Sequence, residues 1–271
     1  MKVMSLNTHS WLEENPLDNL REIAHLIMKE QIDIIALQEV NQELSGKEVD
    51  SGPLYLSYES DFPIKETNYA LLLVAYLKEQ GLDYYWSWTF SHIGYGIYEE
   101  GSAILSKVPF QAETLLVSPT KDIGDYHTRQ ILLAHLKEKP LTVGSCHFSW
   151  FSPNTDEGFA FEWQQLTETV AKIEHQVLLL GDFNSPAHIK EEGYDLITRT
   201  FSDMYELASE KIGSHTVDED IDGWEDNQEK LRIDFGFVSQ PVKVNSYQVV
   251  FNGVKGPVVS DHFGIMFEME S

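Results

Sequence analysis

The stretch Val177-Leu178-Leu179-Leu180-Gly181-Asp182-Phe183-Asn184 (VLLLGDFN, 177–184) decides how this chain is read. Its four apolar residues are too few for a helix and suit a strand buried on both faces. The run stops at a glycine and delivers an acid and an amide at its carboxyl end. The same pattern recurs at Leu6-Asn7, after the apolar run Lys2–Leu6, and at Leu37-Gln38-Glu39, after Ile32–Leu37. Ile233-Asp234-Phe235 and Ser260-Asp261-His262 follow it more loosely. Sites in α/β sheets collect at strand ends of this kind.

Working outward, helix-type runs alternate with these strands. Asn15-Pro16 predicts an N-cap with proline at the first helical position, and Leu17, Leu20, Ile23, Ala24 and Ile27 recur at helical spacing to about Glu30. Asn68 predicts the cap of a second helix carrying Leu73, Val74 and Leu77 and stopped by Gly81. Trp163, Leu166, Val170 and Ile173 predict a third over Glu157–Glu174. Strands are expected at Tyr84–Phe90, Ala103–Ser106, Ala112–Val117, Gln130–Leu136, Leu141–Phe148, Ile233–Val238, Tyr247–Phe251 and Phe263–Glu268. Asn41–Thr67, with Pro53 and Pro63, reads as a long loop of functional type. No linker or shift in composition interrupts the 271 residues, so residues 1–271 are expected to form a single α/β domain with a mixed, partly antiparallel sheet.

Composition narrows the function. Lys and Arg total 19 against 44 Asp and Glu, a net charge of −25, which disfavours a protein held on DNA or anionic lipid by a basic surface. With 42% hydrophobic and 23% charged residues the chain has a globular and not a disordered composition. One cysteine, Cys146, excludes an internal disulfide framework and a cysteine-rich zinc site. No signal-like or membrane-length apolar run is present, which predicts a cytoplasmic protein with no membrane partner. No protein partner is predicted.

If the acidic strand ends converge, Glu39, Asp182, Asp234 and Asp261 repel one another unless a cation or a proton intervenes. Carboxylate and amide oxygens suit a hard ion, Mg²⁺ or Mn²⁺. His147 and His262 follow strand-like stretches and add donors or bases near neutral pH. The bland reading of each carboxylate alone is a cap or turn residue.

Together these segments resemble the endonuclease/exonuclease/phosphatase superfamily, the Mg²⁺-dependent phosphoesterases related to pancreatic deoxyribonuclease. The matching strings are LNTH (6–9), ALQEV (36–40), GSAILSK (101–107), CHF (146–148), GDFN (181–184), RIDFGFVS (232–239) and SDHFG (260–264), in the family's order across nearly the whole chain. The resemblance implies a four-layer α/β sandwich, two central mixed sheets flanked by helices as in deoxyribonuclease I. It implies Asn7 and Glu39 as metal ligands, with Asp261 a second carboxylate near the metal. Asp182 and Asn184 resemble the pair that positions or deprotonates the attacking water and contacts the phosphate. His147 resembles the donor to a phosphate oxygen, and Asp234 the carboxylate that orients His262. Whether His262 is a base or a cationic stabiliser stays open.

Other residues carry two readings each. Asn7 could turn the chain, and His147, beside Cys146, could be a satisfied core histidine. Gly181 serves a tight turn, and Gly101 with its AILS run reads as structural sheet. Arg129 is either a cation for a substrate phosphate or half of a surface salt bridge. The aromatic series Tyr84, Tyr85, Trp86, Trp88, Phe90, Tyr95 and Tyr98 is core more than pocket. Asp218, Asp220, Asp222, Gly223 and Glu229 fit the calcium-loop template, but Gly213-Ser214 interrupts the helix that should enter it. A solvated acidic loop overhanging the site is the preferred reading over Ca²⁺ at 218–229, with Trp224 placed to contact substrate or simply to pack.

The expectation is therefore a Mg²⁺- or Mn²⁺-dependent hydrolase of phosphoesters, a phosphodiesterase or phosphatase of a small phosphorylated substrate. A DNA endonuclease or exonuclease is the alternative within enzymes, with nucleic acid as partner. A non-catalytic binding or signalling protein of the same fold is the rival outside them.

Overall fold

The computed structural model describes all residues except 59–61, 219–220, 222, 225–226 and 271. In chain order its main elements are β1 (Lys2–Asn7), α1 (Pro16–Glu30), β2 (Ile34–Gln38), β3 (Gln42–Glu43), α2 (Tyr69–Glu79), β4 (Tyr85–Gly94), β5 (Tyr98–Ser106), β6 (Phe110–Leu116), β7 (Gln130–Leu136), β8 (Leu141–His147) and α3 (Gly158–Val170). There follow β9 (Gln176–Asp182), α4 (Gly193–Ile197), β10 (Ser202–Asp203), α5 (Met204–Leu207), β11 (Ala208–Ile212), β12 (Asp234–Val238), β13 (Val244–Val250) and β14 (Gly264–Met269).

Two sheets result. One runs β11-β13-β14-β1-β2-β5-β3, with β4 also on β5, and the other runs β10-β12-β9-β8-β7-β6. Both mix parallel and antiparallel pairs: β1 lies parallel to β2 and β8 to β9, while β14 and β12 run antiparallel to β1 and β9. Strand residues alternate between faces, and three large cores follow among the described residues, beside a small cluster of Val217, Leu231 and Ile233. Val3, Ile34, Ala36 and Ile104 of the first sheet meet Leu132, Val143, Leu178 and Leu180 of the second in the middle of the sandwich. Met4, Leu6, Ile35 and Leu37 face outward, under Leu20, Ile23, Ile27, Leu73 and Leu77 of α1 and α2. Leu133, Cys146, Leu179, Phe235 and Phe237 face outward on the other side, under Phe159, Trp163 and Leu166 of α3. The result is the expected four-layer sandwich, helix on sheet on sheet on helix.

Details differ from the sequence reading for identifiable reasons. Asn68 does cap α2, accepting from Leu71 N at 3.1 Å, and Gly81 follows with φ +84°. Asn15 precedes Pro16, but its side chain makes no capping bond, and only its backbone carbonyl accepts from Asp18 and Asn19. Gly181 is no turn residue. It lies inside β9 opposite Cys146, where a Cβ would stand 1.9 Å from the Cys146 carbonyl oxygen, so only glycine allows the strands this close. β4 and β5 extend well past the predicted boundaries to Gly94 and back to Tyr98. Among the described residues no helix is long and apolar enough to cross a membrane.

Candidate active site

The register of the strands assembles the site. In parallel pairs the carboxyl ends lie side by side, so Asn7 stands opposite Gln38, one residue before Glu39, and His147 stands opposite Asp182. Antiparallel neighbours begin where those strands end: Asp234 opens β12 opposite Asp182, and β14 starts beside the end of β1, with His262 two residues before it. Residues scattered over most of the chain thus meet at one end of the gap between the sheets.

The contacts are specific. Asn7 Nδ2 donates to Glu39 Oε1 at 2.8 Å and reaches Asp182 Oδ2 at 3.3 Å. Asp182 Oδ1 accepts from the Asn184 backbone N–H at 2.8 Å. His262 Nδ1 bonds Asp234 Oδ2 at 2.9 Å, and its Nε2 lies 3.7 Å from Asp182 Oδ2. His147 Nε2 faces the same carboxylates, 3.7 Å from Asp182 Oδ2 and 3.9 Å from Glu39 Oε1. Asp261 stands at the rim, 3.8 Å from His9 Nδ1, which Glu13 Oε1 holds at 2.9 Å. Ser260 Oγ donates to the Asn7 carbonyl at 2.8 Å and fixes the loop that carries Asp261 and His262.

Backbone strain marks the same place. Glu39 (φ 48°), Asn184 (φ 45°) and His9 (φ 46°) adopt the left-handed region although none is glycine. Such conformations persist only where the surroundings enforce them, and they gather at functional sites.

The electrostatics follow from burial. Asp182 is 1% exposed, and burial, only partly offset by His262, pushes its carboxyl up to about 7. Burial and then Asp261 also raise Glu39. His262 goes the other way: burial opposes its charge, but Asp234 and Asp182 hold it well above the ordinary histidine value, as an imidazolium. His147 is held neutral by burial and by Arg129. Arg129 Nη1, which can only donate, approaches His147 Nδ1 at 3.4 Å, so the proton of His147 resides on Nε2 and points at the carboxylates.

The residues fit a bound cation. Among the described residues, no Lys or Arg forms an ion pair with Glu39, Asp182 or Asp234, whose salt-bridge contacts are histidines. Asp234 Oδ1 is buried with no hydrogen-bond partner. Glu39 and Asp261 bring carboxylate charge together with no Lys or Arg against Glu39 among the described residues, and Asn7, which turns its Nδ2 to Glu39 and its Oδ1 to the His9 backbone N–H, would offer its amide oxygen to a hard divalent ion by turning that amide over.

Of the residues expected at the site, Glu39, Arg129, His147, Asp182, Asn184, Asp261 and His262 line one cavity of about 610 Å³, while Asn7, Asp234 and Trp224 lie behind it, bonded to Glu39, His262 and Asn184. Arg129 is 4% exposed on its wall and is not half of a surface salt bridge. Trp224 donates Nε1 to Asn184 Oδ1 at 3.0 Å, while Asn184 Nδ2 donates to the Phe148 carbonyl at 2.9 Å, so both ends of that amide are engaged by the protein. Of the calcium template, Asp220 and Asp222 lie outside the described residues. Asp218 pairs with His215 and Lys230, both at 2.8 Å, and Glu229 with His188 at 3.4 Å, so these two acids turn to local partners. Tyr84, Trp86, Trp88 and Phe90 are core, as expected, but Tyr95 lines the cavity. Sequence reasoning missed His9, His92, Glu100, Tyr126 and Trp150, which also line it. His9 lay in the LNTH string, one step from notice, whereas the others carried no spacing signal.

Comparisons with known proteins agree with this geometry. The sequence model of the endonuclease/exonuclease/phosphatase family matches residues 11–262. A search of curated proteins found no match. An endonuclease/exonuclease/phosphatase family protein from Leptotrichia buccalis is 30% identical over all of both chains, with a TM-score of 0.86. A mannosyl-6-phosphatase from Bacteroides thetaiotaomicron is 17% identical with a TM-score of 0.64, again over all of both chains. A humanized D. rerio TDP2 is 17% identical with a TM-score of 0.63, over 100% of this chain and 99% of that one. The last two show the fold alone. With the family model spanning all but the chain's ends, and a relative of 30% identity aligned throughout, this chain belongs to the endonuclease/exonuclease/phosphatase family.

Proposed function

We propose that the protein is a hydrolase of phosphoester bonds that works with Mg²⁺ or Mn²⁺ on a small phosphorylated substrate. The observation that carries this reading is the convergence of Glu39, Asp182 and Asp234 with two histidines and no Lys or Arg counter-ion among the described residues. Glu39, Asn7 and Asp261 would hold the ion, which, when bound, supplies charge neutralisation for the phosphate oxygens.

The chain's own residues supply the rest. Asp182, at the centre of the cluster and oriented by the Asn184 backbone N–H, takes the proton of the attacking water as the water oxygen bonds phosphorus and the ester P–O bond breaks, the leaving oxygen taking a proton from solvent. Asp234 holds the proton on His262 Nδ1, which leaves Nε2–H to face the cavity beside Asp182 as a cationic donor to a phosphate oxygen. His147, its Nε2–H set by Arg129, is the second donor. Arg129 adds a fixed positive charge on the wall. Asn184 acts through Asp182, since its own amide is engaged by Trp224 and Phe148.

The cavity favours a small substrate over duplex DNA. Its wall offers one arginine and no lysine among the described residues, and Glu39, Glu100 and Asp261 oppose a long polyanion. The test is a panel of phosphomonoesters and phosphodiesters with Mg²⁺ or Mn²⁺ and then EDTA, with supercoiled plasmid beside it. The expected result is hydrolysis of a small phosphoester that EDTA abolishes. Activity that survives chelation, or none on any substrate, overturns the reading, and plasmid nicking alone replaces it with a nuclease.

A further inference from the structure

The cavity is larger than a phosphoryl group needs, and its far wall is built by the β4–β5 hairpin. Three features build that wall. The register of the hairpin shifts between Phe90 and His92, so Ser91 forms a bulge, and bulges re-aim side chains next to sites. Gly101, opposite Phe90, lets the strands close up there: a Cβ would meet the Thr89 carbonyl oxygen at 1.7 Å. At the tip, Tyr95 (φ 53°) and Gly96 (φ 70°) form the tight turn between Gly94 and Ile97. Beyond the bulge His92 stands directly opposite Glu100, and both line the cavity.

This pair is not an ordinary ion pair. His92 is 3% exposed and Glu100 6%. The Thr128 carbonyl can only accept, so His92 Nδ1, 3.3 Å away, carries its proton there. Its Nε2 then presents a lone pair to Glu100 Oε1 at 3.5 Å, and two acceptors face each other unless a proton lies between them. Burial is the largest cause for both partners and disfavours charge on each, pushing His92 down to about 4 and Glu100 up to about 8, in keeping with that geometry. The neutral pair spends both of its protons inside the protein, on the Thr128 carbonyl and between Glu100 and His92, so toward the cavity it offers the remaining carboxyl lone pairs as acceptors for hydroxyl groups and adds no charge against a phosphorylated ligand. Around it stand two large rings that a globular surface would normally cover, Tyr95 at 57% and Tyr126 at 55% exposure.

We propose that this wall is the specificity compartment for the non-phosphate half of the substrate, a polyhydroxylated ring of the kind carried by sugar phosphates. In it the His92–Glu100 pair hydrogen-bonds ring hydroxyls, and Tyr95 and Tyr126 pack on the ring's apolar faces. The inference rests on the phosphoester-hydrolase reading above and adds the substrate class.

The experiment compares mannose 6-phosphate and glucose 6-phosphate with phenyl phosphate and AMP, for the unaltered protein, His92→Ala and Tyr126→Ala. Tyr126 is too exposed for its loss to threaten the fold. The expected result is a preference of ~10-fold or more in kcat/KM for a hexose phosphate over phenyl phosphate, because a site built for hydroxyls discriminates against ligands that lack them. That preference collapses in both variants, chiefly through a rise in KM for the hexose phosphate, with its kcat within ~3-fold of the unaltered protein. Equal rates on phenyl phosphate and hexose phosphates, a preference for AMP, or loss of both substrates alike in the variants overturns the compartment and leaves the hydrolase reading standing. Hydrolysis of no phosphoester at all overturns the earlier reading. In that event calorimetry of glucose 6-phosphate with EDTA-treated protein decides the compartment: binding that His92→Ala abolishes supports it, and no binding overturns it.

Discussion

The two ends of the sandwich treat charge in opposite ways. At the end where β1 and β2 begin, Lys2, Glu30, Asp33, Lys107 and Lys255 pair across the surface: Lys107 Nζ is 3.3 Å from Asp33, and Glu30 bridges Lys2 at 3.4 Å and Lys255 at 3.1 Å. Those groups stay partly solvated, and each acid has a basic partner. Where β1, β2, β8 and β9 finish, Asn7, Asp182, Asp234 and His262 are 3% exposed or less, and the acids have histidines in place of Lys or Arg. Burying charge without a strong counter-ion costs stability, and a fold bears it only where something else is gained. One end is arranged for folding and the other, on the proposed function, for chemistry.

The largest expected effect breaks the chemical end. Asp182→Asn should cut kcat/KM by ~10³-fold or more, the scale on which enzymes depend on a positioned base and an electrostatic site. In EDTA the same variant should melt at an equal or higher temperature than the parent, because it removes an uncompensated buried carboxylate. A variant that loses activity by unfolding would erase the contrast between the ends. His262→Ala should follow at ~10²–10³-fold in kcat, with Asp234→Asn milder because the histidine remains while its orienting charge goes.

A backbone change comes next. Gly181→Ala would press a Cβ onto the Cys146 carbonyl and part β8 from β9, at a cost of about 2–3 kcal/mol or more in urea unfolding. It should take activity with it by shifting Asp182 away from His147.

At the folding end the effects shrink. Lys107→Ala should lower stability by less than about 1 kcal/mol and leave turnover unchanged. The smallest effect concerns Glu30. Burial opposes its ionisation, but hydrogen bonds from Lys255 and Lys2 hold its carboxyl below the usual range. A lowered folded value means stability that is present above the unfolded value of ~4.3 and is lost as pH falls through the folded one. The gap between the parent and Glu30→Gln should therefore be under about 1 kcal/mol at neutral pH and close below ~pH 4. A gap that widens in acid would reverse the sign assigned to Glu30.

The same contrast governs what the sequence revealed. Abrupt changes from apolar run to Asn7, Glu39, Asp182 and Asn184 are visible because burial and chemistry sit next to each other along the chain. Helices α1 to α3 are visible because each buries one stripe. The hairpin wall was hidden for the opposite reason: His92, Glu99 and Glu100 are polar residues inside β4 and β5, so they broke the pattern that marks a strand and shortened both predictions. β11 was invisible because it is an edge strand, exposed at Ser209 to Ile212, with no apolar alternation to read. The left-handed backbone at His9 and Glu39 has no sequence signature, since it is imposed by the packing around it. Gly181 and Gly101 stand out in the sequence, but the reason for them, a close approach of two strands, exists only in three dimensions.

A cation site formed by the carboxylates where β1, β2, β8 and β9 finish can be tested without knowing the substrate. Thermal unfolding is followed while Mn²⁺ is added to the EDTA-treated protein, to Glu39→Gln and to Lys107→Ala. The expected result is saturable stabilisation of the parent and of Lys107→Ala, about 2.7 kcal/mol at a hundredfold excess over Kd, and its loss in Glu39→Gln. No stabilisation of the parent, or equal stabilisation of all three, would contradict it.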